Sequence, residues 1–203
     1  MRTETNIYKF DELSEEAKKK AIEWYLGDGL EYHFYKDNLD TLNSFENIFN
    51  IKVTDYSYGG YCMPHISWDF TDHDSEYIEE LEYVRLLKYV INNFWNYLYK
   101  PRVKYLKAVG SNNNKERISN IFLDETCTLT GYYMDMEILN PIYNFLNNFK
   151  EPCLNYSELI SECLDSFIYA CNRDWEWCHS EEYAIENIKA NEFEFDENGG
   201  IWW

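Results

Sequence analysis

Cysteine, histidine and aspartate side chains, which are common ligands of zinc and manganese, occur together in residues 62–74. Cys62 and His65 lie three residues apart, and His73 follows among three aspartates. Structural zinc sites use four protein ligands with standard cysteine and histidine spacings. The spacing here matches no standard pair, and a fourth ligand would have to be chosen freely. We therefore predict no bound metal and interpret these aspartates as solvated acids that follow a strand.

Motifs that would name a reaction or a cofactor are absent from the sequence. It contains neither GxxxxGK[ST] nor GxGxxG, the glycine-rich loops that cradle phosphates, and no GxSxG turn for a nucleophilic serine. Cys178 and His179 are adjacent, a spacing that points the two side chains apart on a helix and disfavours a thiolate–imidazolium pair. We predict no cofactor, assign no catalytic residue and do not expect an enzyme.

The six cysteines predict free thiols rather than a disulfide framework. A chain of 203 residues is long enough to bury a core without cross-links, and no CxxC pair occurs. Cys163, Cys171 and Cys178 recur at two-turn spacing, which predicts one buried helix face. Their expected role is packing.

Charge is the strongest feature of the composition. The chain has 18 Lys and Arg against 37 Asp and Glu, a formal net charge of −19, which excludes a simple phosphate-clamping binder of duplex DNA. The charge is segregated: residues 69–82 hold seven acids and no base, residues 150–203 carry −10, and residues 85–117 carry +7. The basic segment 100–117 has two interpretations, contact with a phosphate or nucleic acid and neutralisation of acids within the fold.

Carboxylates on a rigid scaffold can imitate phosphates and compete for a basic groove, and tyrosine and tryptophan add rigid contact area at interfaces. A solvated surface that only confers solubility is the alternative interpretation. The candidate partner-binding residues are the acids and aromatics of one region. They are Asp69, Asp72, Asp74, Glu76, Glu79, Glu80, Tyr56, Tyr58, Tyr61 and Trp68.

Helices and hairpins must position these residues. Ser14 predicts an N-cap for a first helix that ends at Gly27 and Gly29, and a second helix is predicted over residues 30–49. Alternation predicts strands over residues 51–56 and 65–70, which flank the Tyr58-Gly-Gly-Tyr61 turn. A long helix is predicted over residues 76–99.

The second half of the chain is less regular in pattern. Residues 100–123 give no clear assignment, and residues 127–130 are either a strand or a buried connection. Helices are predicted over residues 137–149 and 157–190, the latter with a break near His179, and residues 192–203 predict a closing hairpin. We expect one α+β domain over residues 1–203, with a small antiparallel sheet (two hairpins) packed against several helices.

Neither a membrane span nor secretion is expected. No apolar run approaches 18 residues, and the N-terminus lacks the charged-then-apolar pattern of a signal peptide.

Four stretches of the chain are distinctive: YKFDELSEEAKKKAIEW at residues 8–24, YSYGGY at 56–61, LTGYY at 129–133 and FEFDENG at 193–199. Together they resemble a family of proteins encoded by phages and prophages of low-GC bacteria, some copies of which are labelled antitoxin-like. The resemblance spans most of the chain, but its motifs carry no assigned chemistry. It implies a cytoplasmic protein of a bacterial host and, by context, a small acidic anti-defence protein.

We therefore expect a phage-encoded inhibitor of a bacterial defence system, of the anti-CRISPR type, that acts by protein–protein binding. Its expected partner is a nucleic-acid-binding effector, whose basic groove it occupies or which it holds inactive. Two alternatives stay open: an antitoxin-like partner of a basic toxin, and a nucleotide-binding protein or enzyme of unknown reaction. Target and oligomeric state are not specified by the sequence.

Overall fold

Helices form most of the protein in the computed structural model, which describes residues 6–60, 62–71, 76–100, 103–107, 119–123, 127–150 and 154–202. Short antiparallel strands accompany them, so the predicted α+β class is confirmed. In chain order the elements are β1 (Tyr8–Lys9), α1 (Glu15–Trp24), α2 (Tyr35–Phe49), β2 (Ile51–Ser57), β3 (His65–Phe70), α3 (Glu76–Glu79), α4 (Tyr83–Leu98), β4 (Val103–Lys107), β5 (Ser119–Leu123), α5 (Met134–Asn147), α6 (Tyr156–Cys178), α7 (Glu181–Ala190), β6 (Glu194–Phe195) and β7 (Ile201–Trp202).

The predicted long helix over residues 76–99 is divided into α3 and α4. Glu82 has extended backbone angles and pairs with Asn155 in an isolated antiparallel bridge. The φ of +47° at Tyr83 lies in the left-handed region, which an α-helix does not use, so the helix cannot run through this point. The bridge to Asn155 thus overrides the helical periodicity of the sequence.

Two further element bounds differ from the predictions. Helix α2 begins at Tyr35 rather than at residue 30, because a π-helical turn over Tyr25–Gly29 is followed by extended backbone at Leu30. Helix α5 begins at Met134, earlier than the predicted residue 137, and carries Pro141 in its interior. The segment without a clear assignment contains the antiparallel pair β4–β5.

The two predicted hairpins lie in different sheets among the described residues, not in one. Strands β2 and β3 form a two-stranded sheet, with an irregularity between Val53 and Asp55. Strands β6 and β7 form the closing hairpin, and β1 adds to it through the pair Tyr8↔Phe195. The short extended segment at the start of the chain therefore completes the terminal sheet.

Contacts divide the chain into two compact units. The first comprises residues 1–34, 59–61 and 171–203, and the second comprises residues 35–58 and 62–170. The prediction of one domain over residues 1–203 stays a prediction.

The core of the first unit forms where α1, α7 and the terminal sheet meet. Ala17 and Ala21 on α1 pack with Ala184 and Ile188 on α7, and Phe195 is fully buried beside them. Small residues at these positions allow the elements to approach closely.

Aromatic side chains form the centre of the second unit around Tyr156, the first residue of α6. Its ring stacks on Phe70 and Phe94 at centroid distances of 5.9 and 6.5 Å and meets Tyr89 edge-on at 5.2 Å. Its hydroxyl donates to the carbonyl oxygen of Phe49 at 3.4 Å. Burial raises the pKa of Tyr156 well above its usual value, and the hydroxyl stays neutral.

Asp135 accepts hydrogen bonds from the end of residues 127–130, the segment whose sequence is compatible with either a strand or a buried connection, and from the glycine that follows it. Its Oδ2 accepts the backbone N–H groups of Leu129, Thr130 and Gly131 at 2.8–3.0 Å. Its Oδ1 accepts the hydroxyls of Thr41 and Thr130. This fully buried carboxylate therefore has a structural role, because its acceptor sites are taken by protein donors.

We predict that Gly199→Ala destabilises the protein. Gly199 has a φ of +84°, and a Cβ there would collide with the carbonyl oxygen of Ala17 on α1. The left-handed backbone alone costs about 1–3 kcal/mol for a residue with a side chain. Gly60→Ala is the matched control, since Gly60 also has a positive φ but no atom within 4 Å of its added Cβ. Urea unfolding should show a larger loss for Gly199→Ala, and equal losses would contradict the close approach.

Candidate functional site: an acidic face

The structure describes only part of the predicted interface. Asp72, Asp74 and Tyr61 lie outside the described residues, and Glu76 begins α3. The other predicted residues fall on the β2–β3 hairpin or at α3.

Trp68 and Asp69 are consecutive residues of β3, so their side chains lie on opposite faces of the β2–β3 hairpin. Trp68 pairs with Val53, is half-buried, and donates from Nε1 to Ser161 Oγ at 3.2 Å. Asp69 pairs with Lys52 on the opposite, exposed side of the strand. Trp68 and Asp69 therefore do not form one surface.

Tyr56 and Tyr58 lie against α2. Their rings stack at a centroid distance of 6.4 Å, and Tyr56 Oη lies 3.2 Å from Tyr35 Oη. Asn38 donates to Tyr58 Oη at 3.4 Å. These half-buried tyrosines are engaged in a local hydrogen-bonded group.

Gly59, between the tyrosines of the Tyr-Gly-Gly-Tyr motif, has a packing role in the first unit. Its N–H donates to Asn172 Oδ1 at 2.9 Å, and a Cβ on Gly59 would lie 2.7 Å from the ring of Trp175. His179 also stacks on this ring, at a centroid distance of 3.8 Å. Close approach to an indole explains glycine at this position.

The residues considered for metal binding are only partly described. Cys62 is exposed, His73 lies outside the described residues, and His65 Nε2 lies 3.0 Å from Asp55 Oδ2. The hydrogen bond to Asp55 raises the pKa of His65. Within the described part of the chain, no three His, Cys, Asp or Glu side chains are grouped as metal ligands would be.

The predicted buried cysteines are confirmed. Cys163, Cys171 and Cys178 are buried and free, and burial raises the pKa of each thiol, that of Cys171 to about 12. Thiols with raised pKa values are poor nucleophiles at neutral pH. Cys127 is half-buried, and Cys153 lies outside the described residues.

His179, the neighbour of Cys178 in the chain, is engaged elsewhere. Its Nδ1 lies 2.7 Å from the carbonyl oxygen of Trp175, and its ring stacks on the indole of the same residue. Both the Nδ1 atom and the ring face of His179 are therefore engaged by Trp175.

Two acidic segments meet in the second unit. The bridge between Glu82 and Asn155 brings the α3–α4 junction beside the start of α6. There, Asn155 and Glu158 form a reciprocal cap, in which each backbone N–H donates to the side chain of the other residue at 2.8–2.9 Å. We define the acidic face as the carboxylates of these two segments. They are Glu79, Glu80, Glu82, Glu158, Glu162 and Asp165.

Three like charges follow one another along α6. Glu158, Glu162 and Asp165 are exposed and lie at helical spacing i, i+4 and i+7. Partial burial raises the pKa of Glu162, and the charges of Glu158 and Asp165 raise it further. No Lys or Arg occurs in residues 156–170, and no ion pair involves Glu162 or Asp165 among the described residues.

The buried face of α6, which lies opposite these three acids, stabilises the helix despite their repulsion. Leu159, Cys163 and Phe167 are buried, as are Ile160 and Leu164 between them. Burying one large apolar side chain contributes about 1.5–3 kcal/mol, which outweighs like-charge pairs that cost about 0.2–0.5 kcal/mol on an exposed helix. The repulsion is therefore tolerated.

The sequence analysis predicted only some residues of the acidic face. Glu79 and Glu80 belong to it, whereas Glu82, Glu158, Glu162 and Asp165 were not among the selected residues. The helical spacing of the last three was visible in the sequence, but the bridge that joins Glu82 to Asn155, just before α6, was not.

Comparison with protein-family models, with curated proteins and with solved structures gives no match. Among the described residues, no helix is long and apolar enough to cross a membrane.

We predict that Glu162→Gln raises the melting temperature at pH 7. A folded-state pKa above the ordinary value of 4.5 means that the folded protein binds this proton more tightly than the unfolded chain does. The contribution of Glu162 to stability is therefore lost as pH rises from about 4.5 through the raised folded value. The gain from Glu162→Gln should appear across this window, persist above it and vanish below it.

Glu23→Gln on α1 removes one exposed charge and is the control for net charge. Thermal unfolding of both variants is monitored by circular dichroism from about pH 3.5 to about pH 7.5, a range that contains the ordinary titration of a glutamate. A Glu162→Gln gain that is independent of pH would contradict the account.

Proposed function

We propose that this protein is a phage-encoded inhibitor of a bacterial defence system, of the anti-CRISPR type, and that its acidic face occupies a basic nucleic-acid groove of the effector. The observation that carries the proposal is the run of like-charged carboxylates on α6, supported by the resemblance to phage and prophage proteins. The site acts by binding, and no step of bond chemistry is assigned to it.

The linear charge density of residues 158–165 of α6 approaches that of a nucleic acid strand. At 1.5 Å per residue, Glu158, Glu162 and Asp165 place a carboxylate about every 5 Å along the helix axis. A strand of duplex DNA carries one phosphate per about 3.4 Å of axis. A groove lined by Lys and Arg that binds phosphates would therefore attract this helix.

Exposed aromatic residues accompany the acids at the α3–α4 junction. Tyr77 and Tyr83 are 77% and 46% exposed, and they neighbour Glu79, Glu80 and Glu82 in the chain. Tyrosine is enriched among residues that dominate binding energy at interfaces. In this proposal Tyr77 and Tyr83 take the anchoring role that the sequence prediction assigned to the tyrosines and the tryptophan of the β2–β3 hairpin.

We predict that reversing charges on the acidic face abolishes inhibition. The test variant is Glu80→Lys/Glu82→Lys/Asp165→Lys. The matched control is Glu23→Lys/Glu186→Lys/Glu197→Lys, which changes the net charge equally at exposed positions of the first unit. Exposed substitutions cost under about 0.5 kcal/mol each, so both proteins should fold. The test variant should bind at least about a hundredfold more weakly, a loss of roughly 2.7 kcal/mol.

Two assays measure the effect. In the first, bacteria with an active RNA-guided defence system express each protein and are challenged with a targeted phage, and plaques are counted. In the second, each protein displaces fluorescent DNA from the purified effector, followed by anisotropy. The parent and the control should restore plaques and displace DNA, and the test variant should do neither. A folded test variant that matches the parent would refute the acidic face as the contact surface.

A further inference from the structure

Helix α4 is apolar over a wide arc of its circumference, and only part of that arc is buried. Leu86 and Trp95 mark the edges of the arc, and their separation of nine residues, at about 3.6 residues per turn, corresponds to about 180° around the helix. A helix on the surface of a globular protein typically has an apolar stripe of about 100°. The buried side of the arc consists of Leu86, Val90, Phe94 and Leu98.

The other side of the arc is exposed and has the spacing of a helix–helix contact. Val84, Ile91 and Trp95 are 49%, 39% and 45% exposed, and Lys88 is exposed among them. We define the α4 seam as these four residues. Their successive separations of four, three and four residues are those of the apolar positions of a coiled coil, along which a second helix packs.

Trp95 is ordered by its neighbours within the protein. Its ring stacks on Tyr99 at a centroid distance of 4.7 Å, and Tyr99 meets Tyr143 edge-on at 5.8 Å. The hydroxyl of Tyr143 donates to the carbonyl oxygen of Leu98 at 3.1 Å. A side chain that is already ordered loses little conformational entropy when a partner covers it, and tryptophan is enriched among the residues that dominate binding energy.

Lys88 specifies the charge that a partner must bring. Residues 83–98 contain Arg85 and Lys88 and no acid, although the chain has 37 Asp and Glu. No ion pair involves Lys88 among the described residues. A partner that covers Val84 and Ile91 also removes water from the Lys88 ammonium, and burial of an unpaired charge is costly. The partner must therefore present a negative group opposite Lys88.

The apolar members of the seam distinguish an acidic protein from a nucleic acid. A nucleic acid would pair a phosphate with Lys88 and stack a base on Trp95, but it would place sugar and phosphate groups against Val84 and Ile91. An amphipathic helix has its apolar anchors at separations of three and four residues, which match the seam. The spacing and the aliphatic side chains together favour a helix.

We propose that the α4 seam binds one amphipathic helix of a protein partner. Apolar side chains of that helix pack on Val84, Ile91 and Trp95, and a carboxylate pairs with Lys88. At about 1.5 Å per residue, the contact extends over about 16 Å, or about three helical turns. The seam contains none of the carboxylates of the acidic face, so this inference stands apart from the proposed function.

Two fluorescent peptides and the full chain test the proposal by anisotropy. Each peptide is an amphipathic helix of about 21 residues with leucine at the apolar heptad positions, and the two differ only at the central one, which is glutamate or lysine. The parent protein should bind the glutamate peptide at least about tenfold more tightly, a difference of about 1.4 kcal/mol. Because the net charge of −19 attracts the lysine peptide, this preference requires a local cation.

Two substitutions in the seam identify the contact. Lys88→Glu should reverse the preference, since the lysine peptide then meets a carboxylate and the glutamate peptide meets a like charge. Trp95→Ala should weaken binding of the glutamate peptide at least about tenfold, because it removes the ordered aromatic anchor.

Lys36→Glu and Trp177→Ala are the matched controls, since they make the same two changes at other exposed positions. Each control should bind both peptides as the parent does. Circular dichroism of every variant verifies the fold, and reversal of the preference by Lys88→Glu itself requires a folded protein.

Four results would each overturn the proposal. The first is a parent that binds neither peptide or binds both equally, and the second is a folded Lys88→Glu variant that keeps the parent's preference. The third is a folded Trp95→Ala variant that binds as tightly as the parent. The fourth is displacement of the glutamate peptide by a single-stranded thymidine oligonucleotide at physiological salt, which would assign the seam to a nucleic acid.

Discussion

The burial of one face of α6 is the interaction on which the second unit and its surface depend. Tyr156 begins the helix inside a cluster with Phe70, Tyr89 and Phe94, and apolar residues of the following turns are buried as well. This packing maintains the helix through a run of like charges that would weaken an isolated helix. The row of exposed acids on α6 is therefore a consequence of the core, because the helical backbone fixes the spacing of the side chains that face away from the core.

Carboxylates serve two different purposes in this protein. Asp135 and Glu46 are buried and are used by the fold: Asp135 accepts three backbone N–H groups, and Glu46 accepts the N–H of Val53 and pairs with Lys52. Buried polar groups such as these carboxylates have hydrogen-bond partners within the protein.

The acids of α6 differ from these structural carboxylates. Glu162 and Asp165 have no ion-pair partners among the described residues, and the pKa of Glu162 is raised rather than lowered. Carboxylates that repel one another are available for an external cation, which is the physical basis of the proposed binding function.

Most elements were predictable because their signals are local. Ser14 and Ser180 cap α1 and α7 through hydrogen bonds from backbone N–H groups, and alternation marks β2 and β3. The features that the sequence did not predict depend on contacts between residues that are distant in sequence. The break before α4 accompanies the bridge between Glu82 and Asn155, and β1 joins the closing hairpin by pairing with β6. For the same reason, sequence reasoning identified Glu79 and Glu80 but not the acids of α6.

Titration of the Glu162 carboxyl by carbon-detected NMR tests the central claim, that α6 presents uncompensated like charges, most directly. The account predicts a titration midpoint above the ordinary value of 4.5, which moves down when Asp165→Asn removes one neighbouring charge. The Glu23 carboxyl, followed in the same spectra, should not respond to Asp165→Asn. A Glu162 midpoint at or below 4.5, or one that is unchanged by Asp165→Asn, would mean that a cation compensates the α6 carboxylates, and it would contradict the account.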